Sequence, residues 1–189
     1  MVPLRTVRLE IDLLGIDDAA GFAAYRGIPE VAAYQSWTPD YSIADALQLF
    51  EGQRSAAVPP TEPGHWVQLA VRARVDGSLL GDVAIGRDAQ PETYEVGVTF
   101  APAHHGHGYA KEALAAVVDG LFAIAGAHRV IAHADERNRA VRTLLQRVGF
   151  RHESRAVEAD WFKGEWTTLD TFALLAGDER RRPTPPPTS

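Results

Sequence analysis

Cysteine is absent from the 189-residue chain, which excludes disulfides, thiolate metal ligands and a cysteine nucleophile. A common route to a covalent acyl-enzyme goes with it, so any acyl transfer would be direct. Positive charge is in deficit as well. The formal net charge is −6, which argues against the broad basic surface that holds nucleic acid by neutralising phosphates. An anion bound here must be held locally. No apolar run approaches the length needed to span a bilayer, and the first ten residues alternate charged with apolar side chains instead of forming a signal-peptide core. No internal repeat is visible. The expectation is a soluble, cytoplasmic chain with neither nucleic acid nor membrane among its partners.

What is present suffices for a core: 46% of the residues are apolar, and the length suits one domain. Residues 1–177 read as that domain, and 178–189, charged and then proline-rich, as a solvated tail. Val7, Leu9 and Ile11 alternate with Arg8, Glu10 and Asp12, predicting a strand over 5–14. Asp17 and Asp18 then cap a helix to about Arg26, ended by Gly27 and Pro29. An aromatic loop with Tyr34, Trp37, Pro39 and Tyr41 leads to a second helix, for which Ser42 and Asp45 form a capping box. Strands at 66–74 and 79–86 flank the hairpin signal Asp76-Gly77. Tyr94, Val96, Val98 and Phe100 share one face of a strand over 93–100, with Glu95, Gly97 and Thr99 on the other. Ala110, Leu114, Val117, Val118, Leu121 and Ala125 recur at helical spacing. A strand at 129–134, a helix from Asn138 to Val148 closed by Gly149, and a hairpin of 150–159 with 165–175 turning at Lys163-Gly164 complete the order β-α-α-β-β-β-α-β-α-β-β.

Between the 93–100 strand and the long helix lies His104-His105-Gly106-His107-Gly108-Tyr109-Ala110. Glycines there let the backbone adopt positive φ and approach a ligand closely. The unpaired N–H groups and positive dipole end of the helix favour an anion. A pyrophosphate suits such a turn, and a net acidic protein could hold one this way without a basic patch. The alternative is a tight strand-to-helix turn needed only for packing. A Walker loop would require Gly-Lys-Ser or Gly-Lys-Thr, which is lacking, and a Rossmann fingerprint would follow the first strand of a parallel unit, whereas several hairpin-like strands precede this turn.

These residues resemble the GNAT superfamily of N-acetyltransferases, in its RimJ/RimL-like branch. The family's pyrophosphate motif has Gln or Arg, two residues, Gly, one residue, then Gly or Ala; here it reads His105-Gly106-His107-Gly108-Tyr109-Ala110, with His105 in the first place. Glu95-Val96-Gly97-Val98, Lys111-Glu112-Ala113, Asn138 ahead of Gly149-Phe150, Val7-Arg8-Leu9, Tyr34-Gln35-Ser36-Trp37 and Lys163-Gly164-Glu165-Trp166 extend the likeness over roughly 5–175. The resemblance implies an α/β (α+β) fold, a mixed, twisted sheet of six to seven strands flanked by about four helices, whose fourth and fifth strands splay to admit a pantetheine arm. It implies acetyl-CoA as co-substrate, held by His105, Gly106, His107, Gly108, Tyr109 and Ala110, by backbone groups of Val96 and Val98, and by Asn138, for which a helix N-cap is the structural alternative. Glu95 is the implied base for deprotonating an amine acceptor, a protein N-terminus or a small molecule, and Tyr34, Trp37, Tyr41 and Trp161 are acceptor-side candidates. Trp166 is expected in the core or in hairpin packing, and Asp40 and Asp160 could attract a cationic amine. A second copy of the chain, as a homodimer, is the protein partner to consider.

Where the family carries a tyrosine or a serine to protonate the departing thiolate, Leu145 and Val141 stand here. That departure keeps open a degenerate member that binds acyl-CoA without turnover. A metal site on His104, His105 and His107, with His133, is the rival from another class, but these histidines lack the fixed helical spacing of strong zinc motifs. No metal is assigned.

Overall fold

The computed structural model describes residues 1–178; the proline-rich segment read as a tail lies outside them, apart from Asp178. All the strands join one eight-stranded sheet in the order β1-β2-β3-β4-β5-β6-β8-β7. They are β1 (Leu4–Arg5), β2 (Leu9–Leu13), β3 (Trp66–Ala73), β4 (Leu79–Arg87), β5 (Thr93–Phe100), β6 (Arg129–Asp135), β7 (Arg151–Phe162) and β8 (Glu165–Leu175). Only β5 and β6 run parallel. The helices are α1 (Ala19–Arg26), α2 (Pro29–Ala32), α3 (Ile43–Gln53), α4 (Tyr109–Ala123) and α5 (Arg139–Val148).

Eight strands and five helices replace the expected six to seven and about four, for local reasons. The strand expected over 5–14 is broken at Thr6–Arg8, where Thr6 N–H donates to Leu9 O and Leu9 N–H to Thr6 Oγ1, both at 2.9 Å. Val7 therefore points into solvent, 88% exposed, although it matched the alternation of Leu9 and Ile11. The extra helix α2 is a single turn begun by Pro29 at its first position, where the missing N–H costs nothing.

Both faces of the sheet are covered, as a layered α/β core requires. On one, Leu9, Ile11, Val67, Leu69, Ile85 and Phe172 meet Leu114, Val117, Val118 and Leu121 of α4 and Leu145 and Val148 of α5. On the other, Ala70 packs with Phe22 and Tyr25 of α1 and Ala46 and Phe50 of α3. Under α1 a polar network is buried: Asp82 accepts from Tyr25 Oη at 2.5 Å and from Arg26 Nη2 at 3.3 Å. The Ser42 capping box forms, with Ser42 Oγ accepting from Asp45 N–H and the Asp45 carboxylate from Ser42 N–H.

Candidate active site

Strands β5 and β6 pair at only three positions, Thr93↔Arg129, Tyr94↔Val130 and Glu95↔Ile131. Beyond Glu95 they part, each keeping its other neighbour: β5 stays on β4 to Phe100, and β6 on β8 to Asp135. The direction of the freed backbone groups follows from alternation. Thr93 O accepts from Asp88 N–H, and Ala101 N–H donates to Leu80 O, so odd residues face β4; Glu92 O accepts from Arg129 N–H, so even residues face β6. The β4/β5 register runs without a bulge. Val96 and Val98 thus turn N–H and C=O into the gap. A cavity of about 210 Å³ occupies it, with Val96, Gly97 and Val98 on one wall, Ala132 to Asp135 on the other, and Val141 and Leu145 from α5 beneath. The two α5 side chains border the cavity and carry no proton to give.

The glycine turn joins the C-terminal end of β5 to α4. Gly106 and Gly108 have φ of +80° and +79°, and Gly108 is the N-cap of α4. A side chain on Gly106 would enter open space. Among the described residues, the N–H groups of Gly106, His107, Gly108, Tyr109, Ala110 and Lys111 meet no acceptor. They form the unpaired donor set of a helix start. His105 turns away from that set, its Nε2 lying 2.8 Å from Phe100 O, and the His107 ring stacks on Tyr109. The imidazoles are thus engaged separately, and among the described residues no group of three metal-binding side chains converges.

Two motif fragments 104 residues apart meet at this turn. Glu112, in the first turn of α4, accepts from Arg8 N–H at 3.0 Å, Arg8 Nε at 2.7 Å and Thr6 Oγ1 at 2.5 Å. Burial alone would raise the Glu112 carboxyl, but these donors outweigh it and hold it below its ordinary value. Arg8 Nη1 also donates to His107 O at 2.9 Å, and its guanidinium lies over the Tyr109 ring.

Glu95 occupies the last paired position before the strands part, opposite Gly86 of β4. Burial pushes its carboxyl above the usual range; His133 opposes the rise and Asp88 adds to it. Two residues beyond Glu95's partner Ile131, His133 faces the same side of the sheet. It borders the cavity and places Nδ1 3.2 Å from Thr171 Oγ1. Sequence reasoning considered His133 only as a metal ligand. The signal that ties it to Glu95 is the parallel register, which no single strand displays.

Asn138 caps α5, its Oδ1 accepting from Val141 N–H at 3.2 Å, and it also borders the cavity. The structural alternative, a helix N-cap, is what Asn138 forms, at the border of that cavity. The acceptor candidates divide. Tyr34 lies on the cavity, as does Asp160. Trp37 and Tyr41 instead enclose Arg26, and with Asp40 they line a separate hollow of about 770 Å³ beside α3. Trp161 is 60% exposed and packs edge-on against Trp166, which at 59% exposed is outside the core and in hairpin packing only. The two loops are nonetheless joined: Lys163 Nζ, at the hairpin tip, donates to Ala32 O and Trp37 O at 2.7 Å each.

A sheet parted beside an open glycine turn defines a class, and comparison supplies the family. The acetyltransferase (GNAT) domain matches residues 8–151, and the chain belongs to that family, whose acetyltransferases use acetyl-CoA. It is similar to an N-acetyltransferase, p20, of Bacillus licheniformis, 23% identical over 93% of this chain and 97% of that one. The fold is shared with a GNAT-family acetyltransferase from Bacillus anthracis, at TM-score 0.80 and 21% identity over 93% of this chain and 99% of that one. It is shared also with Mycobacterium smegmatis RimJ bound to CoA-disulfide, at TM-score 0.76 and 22% identity over 89% and 82%. No helix among the described residues is long and apolar enough to cross a membrane.

Proposed function

We propose that this chain transfers the acetyl group of acetyl-CoA directly to a primary amine, a protein N-terminus or a small-molecule amine, within a ternary complex. The observation that carries the reading is the set of free amides at 106–111 next to the gap between β5 and β6. The diphosphate rests on those amides, and the pantetheine arm runs along Val96 and Val98, bringing the thioester towards Gly97. Glu95 takes the ammonium proton of the acceptor, the neutral nitrogen attacks the thioester carbon, and as the C–S bond breaks to release CoA thiolate the nitrogen gives up its second proton to water, leaving the amide. With Val141 and Leu145 at the cavity floor, water or a backbone N–H stabilises that thiolate. Tyr34 and Asp160 border the acceptor side.

The test is a thermal shift with acetyl-CoA, followed by a thiol-release assay over a panel of primary amines. At a hundred times its dissociation constant a ligand adds about 2.7 kcal/mol of stability, and the shift should be large. No shift would end the proposal. The apolar pair Val141 and Leu145 also supports a second reading, an acyl-CoA binder without turnover, for which a full thermal shift would accompany no CoA release with any amine.

A further inference from the structure

One guanidinium nitrogen beside the glycine turn has nothing to hold. Arg8 is pinned by its Nε on Glu112, its Nη1 on His107 O, its own backbone N–H on Glu112 and its face on Tyr109. Nη2 alone lacks a partner among the described residues. Its position is informative: a side chain built on Gly108 would come within 3.5 Å of Arg8 Nη2. The space left open by that glycine is therefore bordered by a fixed cationic donor. The Glu112 carboxylate does not consume it, because both its oxygens are already occupied by Thr6 and by other atoms of Arg8.

His105, at the turn's own leading position, is directed back to Phe100 O. That imidazole therefore does not face the open amides. We propose that Arg8, contributed by the segment between β1 and β2, binds the cofactor's diphosphate through Nη2 and adds a charged donor to the amides of the turn. This rests on acetyl-CoA occupying the turn, as proposed above. Arginine suits the role, because its fork can hold His107 O and Glu112 while still donating to a phosphate oxygen.

The experiment is calorimetric titration of the full chain with CoA and with dephospho-CoA, for the native protein and the variants Arg8→Gln, Arg8→Lys and Glu112→Gln. Arg8→Gln should weaken both ligands by about 10- to 100-fold, the effect of losing a charge-assisted hydrogen bond. Arg8→Lys should fall between. Glu112→Gln separates a phosphate contact from a mere strut, since it leaves the arginine charged and less neutralised: affinity should hold or improve. Equal weakening in Glu112→Gln and Arg8→Gln would reduce Arg8 to a strut and overturn the inference. So would a loss confined to CoA, which would move the contact to the 3′-phosphate, or unchanged affinity in Arg8→Gln. Failure of the native protein to bind either ligand would remove the site itself, a result distinct from native binding that Arg8→Gln leaves intact.

Discussion

Glu95 must be ionised to accept a proton, and burial makes ionisation harder. Its carboxyl is raised above the ordinary carboxylate range, so the active form appears as pH rises through that raised value and is lost as pH falls. For a lysine-like amine the protonation penalty at pH 7 is about 4.6 kcal/mol, whereas an α-amine faces only about 1 kcal/mol. Glu95→Gln should cut turnover about 100-fold or more with a strongly basic amine, erase that acidic limb, and leave the dissociation constant for acetyl-CoA within about twofold. With an amine already neutral at the assay pH the defect should shrink. Matching rates for both proteins with every amine would remove Glu95 from the chemistry. Strand alternation placed Glu95 on a face with Gly97 and Thr99, and the family resemblance singled it out as the candidate base. His133 was not legible in the same way: its relation to Glu95 depends on how far two strands separated by a helix stay paired.

Among the elements, α4 is the one whose start matters most to binding. Gly108 has φ of +79°, a conformation that strains a β-branched residue by roughly 1–3 kcal/mol, and Gly108→Val would also intrude towards Arg8 and the approach to the amides. The matched control is Gly64→Val: Gly64 has φ of +80° and open space around it, away from the turn. Both variants should lose similar apo stability, but only Gly108→Val should lose the acetyl-CoA thermal shift. Identical shifts in the two would displace the site from this turn. Elements with a strong local pattern were readable to the residue: β5 runs over Thr93–Phe100, α5 ends at Gly149, and Ser42 caps α3. The 5–14 segment was misread because Val7 keeps period two across a turn whose driver, the Thr6 hydroxyl, leaves no mark in the apolar pattern. The clamp of Arg8 on Glu112 and the latch of Lys163 on the 32–37 segment were equally invisible, since each joins residues more than a hundred positions apart.

Across the molecule, the carboxylates that folding perturbs fall into two groups that respond oppositely to acid. Asp170, fully buried on β8, accepts from Arg155 Nε at 2.8 Å and Nη2 at 3.0 Å, lies 3.0 Å from His152 Nε2, and has Arg142 of α5 2.9 Å away. Arg155's hydrogen bonds dominate and bring its pKa down to about 2. Asp135, Glu153 and Glu112 are lowered too, by Arg137, by Arg129, and by Thr6 with Arg8. The Glu153 and Glu112 contacts join separate elements, whereas Asp135 and Arg137 are two residues apart. Because the folded values of these carboxylates lie below the unfolded ones, the unfolded chain takes up protons first as pH falls, so their stabilisation is complete above about pH 4 and disappears towards pH 2. Asp82 and Glu95, raised by burial, act with the opposite sign: they gain stability as pH falls through their raised values, and that gain is complete by the ordinary carboxylate range, before the lowered group begins to lose its own. Below about pH 4 the lowered group is the one still titrating, giving net loss of stability in urea melts. Asp170→Asn should be less stable than the native chain by about 2 kcal/mol at pH 7, and the gap should shrink to a small remainder by about pH 2, where the unfolded carboxyl is protonated and the native one is passing through its own lowered value. A gap of constant size from pH 7 to pH 2 would mean that Asp170 acts through packing and not through its charge.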